Sequence, residues 1–202
     1  MADSRVYTVG KRVVDIAMSV VGISLLSPLL IIVGIAVRLD SPGPALFSHE
    51  RVGRGGRNFH LLKFRSMAHR SRGSDITVAG DARITRVGRV LRRTKIDELP
   101  QLWNVLVGDM SLVGPRPELE RYVKMFANDY EEILKVRPGI TDLAAIEYRD
   151  EERVLAASLD PEEEYRRVVL PAKIALYRRY LQERSFQRDL SLIARTVLTM
   201  LR

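Results

Sequence analysis

The longest apolar segment of this 202-residue chain lies near its N-terminus. No charged residue occurs at the 22 positions from Ile16 to Val37. A helix of that length would be about 33 Å long, which is close to the thickness of the hydrocarbon layer of a membrane. The pattern therefore predicts a membrane-embedded helix. The alternative is a helix buried in the core of a soluble domain.

Two features of this segment favour a helix that enters the membrane and returns over one that crosses it. Ser27 and Pro28 lie near its middle, where proline removes a helical hydrogen bond and the serine hydroxyl can bond to the freed carbonyl. Basic residues flank both ends, with Lys11 and Arg12 before the segment and Arg38 after it. A crossing helix usually has this bias only on its cytoplasmic side. We therefore expect a re-entrant helix–break–helix, and a proline-kinked spanning helix is the alternative.

The rest of the chain combines one extended hairpin with several helices. A turn cluster at 40–44 predicts a boundary between an N-terminal membrane segment, 1–40, and a second domain, 41–202. Strand-like runs around a glycine-rich turn predict a β-hairpin over 45–67. Helical spacing of apolar residues predicts the helices 84–93, 99–107, 118–136, 161–180 and 186–201. The expected fold class is α+β, mostly helical, with a re-entrant membrane helix, a small β-hairpin and amphipathic interfacial helices.

Two of the predicted helices have a distinct apolar face. In the first it is formed by Leu99, Leu102, Trp103 and Leu106. In the last it is formed by Phe186, Leu190, Ile193, Val197 and Leu201. Arginines surround the apolar face of the last helix, so that helix either lies among lipid headgroups or packs against the core.

The composition narrows the possible partners. The formal net charge is +8 and the sequence pI is about 10, which suits nucleic acid, a phospholipid surface or a phosphorylated substrate. A membrane-anchored nucleic-acid-binding module would interleave basic with exposed aromatic residues, yet aromatic residues are only 6% of the chain, so we expect no nucleic acid partner. The absence of cysteine excludes disulfides, thiolate zinc sites and cysteine nucleophiles. A membrane scaffold is the other non-enzymatic alternative.

A pair of carboxylates, Asp97 and Glu98, precedes Pro100 at the predicted start of a helix. Acidic residues at such a position are usually caps. Their basic neighbours in sequence are Arg92, Arg93, Lys95 and Arg116. Two carboxylates in a cationic cluster suit phosphoryl transfer, because cations neutralise the phosphates before a second anion approaches. We expect the cations to lower the pKa of Asp97, which could then act as a nucleophile and form an acyl phosphate.

Other basic residues are candidates for phosphate contacts. Lys63 and Arg65 lie on one side of the strand that ends the hairpin. The glycine-rich residues 53–56 could bind phosphate through backbone N–H groups, although an ordinary turn is the alternative. Hard carboxylate ligands and the absence of a histidine cluster favour Mg²⁺ over Zn²⁺.

Several sequence blocks together resemble the small bacterial monotopic phosphoglycosyl transferases, also called polyprenol-phosphate sugar-1-phosphate transferases. The blocks, in the order of that family, are KRVVD at 11–15, SP at 27–28, KFRSM at 63–67, IDELPQLWNVL at 96–106, GDMSLVGPRP at 108–117 and RPGIT at 137–141. They cover most of the chain from residue 11 to residue 141, so the resemblance is more specific than any single block.

The resemblance implies an enzyme of the bacterial inner membrane with its catalytic domain, 41–202, on the cytoplasmic face. It implies transfer of a sugar-1-phosphate from a UDP-sugar to polyprenyl phosphate, undecaprenyl phosphate for example, with release of UMP, as the first membrane step of glycoconjugate assembly. Asp97 would be the nucleophile, and Glu98 with Asp97 would hold Mg²⁺. The expected substrate-binding residues are Lys63, Arg65, Arg92, Arg116 and Arg137. The sugar and the oligomeric state are left open.

One segment departs from the family pattern. Many members continue after the RPGIT block with glycine, tryptophan, alanine and glutamine, whereas this chain has DLAA at 142–145. We expect this difference to bear on the choice of sugar and not on the carboxylate pair.

Overall fold

The computed structural model describes residues 2–68 and 76–200. The helices are α1 Ala2–Asp40, α2 Arg86–Thr94, α3 Gln101–Val107, α4 Glu120–Met125, α5 Ala127–Ile133, α6 Leu143–Glu147, α7 Glu151–Ala156, α8 Pro161–Glu164, α9 Leu170–Glu183 and α10 Phe186–Met200. The strands are β1 Leu46–Val52, β2 Asn58–Phe64, β3 Ser111–Val113 and β4 Gly139–Thr141. The expected α+β, mostly helical fold class is confirmed.

Helix α1 is long and apolar enough to cross a membrane, and it displays its apolar side chains instead of burying them. Leu25 is 75% exposed and Leu39 is 83% exposed, and Ile31, Ile32 and Ile35 are also on the surface. A core helix would have these side chains inside, so the core-helix alternative is wrong. Exposed apolar surface of this extent indicates a lipid environment.

The helical hydrogen bonding continues through Ser27 and Pro28, where we expected a break. Pro28 has no N–H to donate to the carbonyl of Ser24. The Ser27 hydroxyl donates to that carbonyl at 2.9 Å, so the freed acceptor is satisfied as expected. The structure therefore has one 39-residue helix with a proline inside it, and not two helices separated by a break. Re-entry of this helix into the membrane stays a prediction.

The predicted hairpin is confirmed. Strands β1 and β2 pair antiparallel from Leu46 opposite Phe64 to Val52 opposite Asn58. Gly55 and Gly56 form the turn with positive φ angles of 70° and 75°. The Gly55 N–H donates to the carbonyl of Leu134 and the Gly56 N–H donates to the carbonyl of Gly53. Because both N–H groups already have partners, the structure favours the ordinary turn over a phosphate-binding loop.

A second, parallel sheet pairs β3 with β4, and the sequence did not predict either strand. The backbone segments of the two strands touch at Gly114 and Gly139, where a Cβ atom on Gly139 would lie 2.1 Å from the Gly114 nitrogen. Only glycine permits this approach. The sheet fixes the loop that follows β3 and so positions Arg116.

The helical half of the molecule surrounds a core rich in tyrosine. Its buried aromatic residues are Tyr122, Tyr130, Tyr165 and Tyr177, which pack with the aliphatic residues of α5, α6, α7 and α9. The helix expected over 118–136 is divided into α4 and α5 at Phe126. The helix expected over 161–180 comprises α8, a π turn at Tyr165–Val169 and α9.

Helix α10 presents most of its predicted apolar face to the outside. Leu192 is the residue that enters the core, whereas Phe186, Leu190 and Val197 are exposed and Ile193 is partly buried. Leu201 lies outside the described residues. An exposed apolar face beside α1 supports a helix that lies among lipid headgroups over one that only packs on the core.

A candidate active site at Asp97 and Glu98

A tight turn directs the two carboxylates into the protein. Helix α2 is followed by Lys95, which has a left-handed backbone conformation with φ 57°. A single 3₁₀ turn, Ile96–Glu98, follows before α3 begins. Asp97 is only 5% exposed and Glu98 only 9% exposed. Left-handed backbone is uncommon for a residue other than glycine and is often found at functional sites. We call Asp97 and Glu98 the dyad.

Glu98 is held as an anion by two cations from separate elements. Arg116, in the loop after β3, grips both oxygens, with Nη2 2.5 Å from Oε1 and Nη1 3.2 Å from Oε2. Lys63 of β2 places its Nζ 3.3 Å from Oε1. Burial alone would raise the pKa of Glu98, but Arg116 and Lys63 outweigh it and hold the pKa far below the usual range. The same pairing raises the pKa of Arg116.

Asp97 has the opposite environment. Its Oδ1 atom is buried and has no hydrogen-bond partner. Burial, together with the charge of Glu98, raises the pKa of Asp97 although Lys63, Arg92 and Lys95 oppose that shift. The expectation that the cations would lower this pKa was wrong, because burial and the negative charge of Glu98 outweigh their effect. Asp97 is therefore a poorly solvated carboxyl group with a free acceptor atom.

Arg92 approaches Asp97 from the last turn of α2. It forms an ion pair with Glu152 of α7 and donates to the Ser66 hydroxyl at 3.4 Å. Its charge acts to lower the pKa of Asp97. The sequence did not point to Glu152. This residue lies 60 positions further along the chain, and its carboxylate orients Arg92 by accepting from Nη2.

Comparisons with known proteins show the family of this chain. Residues 6–202 match the family described as bacterial sugar transferase. The chain belongs to the bacterial sugar transferase family.

The alignments with three relatives each include about two thirds or more of this sugar transferase. It is 43% identical over 196 residues to a UDP-glucose:undecaprenyl-phosphate glucose-1-phosphate transferase of Caulobacter vibrioides, covering 95% of this chain and 69% of that protein. It is 46% identical over 150 residues to a UDP-N-acetylgalactosamine-undecaprenyl-phosphate N-acetylgalactosaminephosphotransferase of Aeromonas hydrophila, covering 71% of this chain and 35% of that protein. A UDP-glucose:undecaprenyl-phosphate glucose-1-phosphate transferase of Escherichia coli is 43% identical over 141 residues, which are 67% of this chain and 30% of that protein. The chain thus spans about a third of the last two proteins.

Arg65, expected to contact the substrate, bonds in this structure of the sugar transferase to the end of α1 and the turn after it. The side chain is buried, and its nitrogens donate to the Ser41 hydroxyl and to backbone carbonyls that include those of Val37 and Pro44. Further carbonyls it contacts are those of Ser41, Pro42 and Gly43. These acceptors belong to the end of α1 and the turn after it, where helix carbonyls need donors. Arg65 therefore caps the membrane helix, and its donors are not available to a phosphate.

Arg137 lies apart from the dyad. Its Nε donates to the carbonyl of Gly108 at 2.8 Å, and its neighbouring charges are Arg12, Arg54 and Asp15. Of the five basic residues expected at the substrate, the structure therefore brings Lys63, Arg92 and Arg116 to the dyad and places Arg65 and Arg137 elsewhere.

Helix α3 turns a polar face to the core, contrary to the apolar stripe seen in its sequence. The buried residues are Gln101, Asn104 and Val105, whereas Trp103 is 53% exposed. Asn104 Nδ2 donates to the carbonyl of His60 at 2.8 Å, and its Oδ1 accepts from the Leu62 N–H at 3.0 Å. Asn104 thereby fixes β2, and with it Lys63, relative to the dyad. A polar residue amid an apolar helix was the signal that could have identified it.

The residue at which the chain departs from the family pattern is a buried cap. Asp142 Oδ1 accepts from the Ala145 N–H at 2.8 Å and so begins α6. Burial raises the pKa of Asp142, and its Oδ2 has no hydrogen-bond partner. A role of this segment in the choice of sugar stays a prediction.

Proposed function

We propose that this sugar transferase moves a sugar-1-phosphate from a UDP-sugar to a polyprenyl phosphate, which gives polyprenyl diphosphate-sugar and UMP. The observation that carries the proposal is the buried, unpartnered Oδ1 of Asp97 beside a carboxylate already neutralised by Arg116 and Lys63. The named relatives act on UDP-sugars and undecaprenyl phosphate, and this supports the choice of substrates.

Asp97 would take part in two displacements, as the nucleophile in the first and as the leaving group in the second. In the first, an Asp97 oxygen attacks the sugar-bearing phosphorus, a carboxyl–phosphate bond forms and the bond to UMP breaks. In the second, an oxygen of the acceptor phosphate attacks the same phosphorus and releases the Asp97 carboxylate. A desolvated carboxylate is a stronger nucleophile than a hydrated one, and the raised pKa of Asp97 reflects that desolvation.

The cations of the site would stabilise the charge that moves during both steps. Arg92 is oriented by Glu152, and Lys63 is oriented by Glu98, so each presents its charge without reorganisation. Arg116 keeps Glu98 ionised and fixes its two oxygens. The site thus combines one reactive carboxylate with one structural carboxylate.

The free Oδ1 of Asp97 suits a magnesium ion, whereas the oxygens of Glu98 already contact Arg116 and Lys63 and would offer only their remaining lone pairs. In the parts of the chain that the structure describes, three or more histidine, cysteine or acidic side chains do not come together in a group that could hold a metal ion. Mg²⁺ commonly binds through one or two carboxylates together with substrate phosphates and water. Asp97, through its free Oδ1, and Glu98 would hold Mg²⁺, which would supply charge neutralisation for the diphosphate.

The first experiment looks for the covalent intermediate. The full chain, incubated with a UDP-sugar and Mg²⁺ but no acceptor, should gain the mass of one sugar phosphate on Asp97 by intact-protein and peptide mass spectrometry. The variant Asp97→Asn should gain no such mass and should lose about 10³-fold or more of its UMP release. The matched control is Asp150→Asn, since Asp150 is exposed and begins α7 without a side-chain bond. An unmodified Asp97 peptide alongside full turnover would reject the mechanism.

We further propose that α1 is re-entrant, in the bacterial inner membrane, with the catalytic residues on the cytoplasmic face. The exposed apolar side chains of α1 and the Ser27–Ser24 bond support a lipid environment that tolerates the proline. The chain has no cysteine, so single cysteines at Ser4 and Ser158 give an unambiguous test. Both should react with an impermeant maleimide only after the inner membrane is opened. Labelling at Ser4 in intact spheroplasts would show that the helix crosses.

A further inference from the structure

A cavity lies away from the dyad, at the first turns of α1. Its volume is about 250 Å³, and it is bounded by α1, the hairpin turn, β3, the loop before β4 and the end of α9. None of Asp97, Glu98, Lys63, Arg92 and Arg116 lines it. We call it the N-terminal cavity.

The lining of the N-terminal cavity is strongly cationic. Its basic residues are Lys11, Arg12, Arg54, Lys135, Arg137 and Arg184, and its acidic residue is Asp15. Lys11 is paired with Asp189 at 2.6 Å, and Lys135 is paired with Glu132. Among the described residues, no carboxylate pairs with the three arginines Arg54, Arg137 and Arg184. The protein therefore leaves a net positive charge in this space.

Backbone carbonyls hold two arginines of the lining, Arg12 and Arg137, in place. Arg12 donates to the carbonyls of Val105 and Leu106 at 2.6 and 2.9 Å, and Arg137 donates through Nε to the carbonyl of Gly108. These carbonyls lie at the end of α3, where the helix dipole favours cations. The Nη atoms of Arg137 are left over after that bond. Burial and the charges of Arg12 and Arg54 lower the pKa of Arg137, and the opposing charge of Asp15 does not offset them.

A buried hydroxyl in the same cavity also lacks a partner. Ser111, the first residue of β3, is only 1% exposed, and its Oγ makes no hydrogen bond. Buried polar atoms nearly always have partners, so an unpartnered donor here points to a ligand with acceptor oxygens. Asp15 adds one negative charge to the lining, and its Oδ1 accepts from the Leu112 N–H at 3.1 Å.

The cavity also lies close to the membrane boundary of α1. Its lining includes residues of α1 between positions 7 and 15, and the uncharged run begins at Ile16. With the apolar part of α1 in the hydrocarbon layer, the cavity is at the level of the lipid headgroups.

We propose that the N-terminal cavity is a phosphate-binding site separate from the dyad. The ligand is a phosphate group with its negative charge on acceptor oxygens, held by Arg54, Arg137 and Arg184 and by the Ser111 hydroxyl. Arginine forks and a hydroxyl are suited to phosphate oxygens. The phosphate comes either from the headgroup of an anionic phospholipid or from a soluble phosphate compound, and two arms of one experiment distinguish these sources.

The experiment compares the full chain with a double variant, Arg54→Gln with Arg184→Gln. Arg54 is exposed and Arg184 is half-buried, and neither bonds to Asp97 or Glu98. The control, Arg167→Gln with Arg178→Gln, removes the same charge from exposed arginines outside the cavity. Thermal unfolding of all three proteins checks that they fold equally well.

In the soluble arm, inorganic pyrophosphate is titrated calorimetrically into detergent-solubilised protein in EDTA. In the lipid arm, the protein is reconstituted into nanodiscs of phosphatidylcholine with and without phosphatidylglycerol. Native mass spectrometry then counts the lipids that remain bound to the protein.

A lipid source predicts one retained phosphatidylglycerol on the parent chain and on the control, lost from the cavity variant and displaced by pyrophosphate. A soluble source predicts pyrophosphate binding that weakens about tenfold or more in the cavity variant alone, with no retained phosphatidylglycerol. The proposal is overturned if neither probe binds, or if the control variant loses binding to the same extent as the cavity variant.

Discussion

The dyad and the N-terminal cavity both gather arginine and lysine, but the counter-charge comes from different places. At the dyad, Glu98 belongs to the protein and satisfies Arg116 and Lys63 directly. In the N-terminal cavity, Arg54, Arg137 and Arg184 have no such carboxylate among the described residues, and Ser111 keeps an unused hydroxyl. Where the protein supplies the counter-charge, as at the dyad, the cations fix the groups that surround a reactive atom. Where it does not, as in the N-terminal cavity, the unpaired cations are suited to bind an anion.

The largest expected difference between the two regions concerns metal removal. Treatment with EDTA should abolish UMP release, and added Mg²⁺ should restore it, because Glu98 and Glu152 already balance Arg116, Lys63 and Arg92 and leave little charge to neutralise the diphosphate. Pyrophosphate binding in the N-terminal cavity should persist in EDTA, since arginines alone provide its charge. Full UMP release in EDTA would contradict the magnesium assignment.

The two carboxylates of the dyad should have opposite effects on stability. Glu98→Gln leaves Arg116 and Lys63 without a counter-charge and should lower the free energy of unfolding by about 3 kcal/mol. Asp97→Asn removes a buried carboxyl with a free acceptor and should raise that free energy by about 1 kcal/mol near neutral pH. The sign follows from proton binding. The folded-state pKa of Asp97 lies above its unfolded value, so stability falls as the pH rises through that interval. Thermal unfolding of both variants in one detergent measures the contrast, and shifts in the same direction would refute it.

The smallest expected effect is on the pH dependence of the rate. Because Asp97 must be ionised to attack, kcat/KM should fall on the acid side at a pH above the usual range for aspartate. Arg92 acts to lower that pKa, so Arg92→Gln should move the acid limb to higher pH. Arg89→Gln, an exposed change on the same helix, should leave the limb in place. An identical acid limb in the parent chain and in Arg92→Gln would show that Arg92 does not influence the pKa of Asp97.

The sequence predicted what depends on local pattern. The uncharged run, the glycine turn between two strand-like segments and the carboxylate pair amid cations are all visible within short windows. They correctly indicated α1, the hairpin and the neighbourhood of the dyad.

What the sequence missed depends on contacts between distant parts of the chain. Arg65 was grouped with Lys63 by the strand alternation, but the end of α1 takes all of its donors. The cations around Asp97 suggested a lowered pKa because burial cannot be read from a list of neighbours. The sequence showed an apolar stripe on α3 but not its surroundings: Leu102 packs against Gly22 of α1, whereas Trp103 faces outward. A helix between a core and a membrane has two sides to satisfy, and a one-sided pattern describes only one of them.

Helix α1 also limits how this protein can be shortened or made water-soluble. Its early residues join three other elements, through Lys11 to α10, Arg12 to α3 and Asp15 to β3. Deleting the first 40 residues would therefore remove a wall of the folded body and leave the buried Asp189 without Lys11. A better route to a soluble form keeps the whole helix and replaces only outward-facing residues such as Leu25 and Leu39 by polar ones. In this protein the apolar helix α1 is also part of the folded domain, so a soluble form requires changes to its exposed side chains and not its removal.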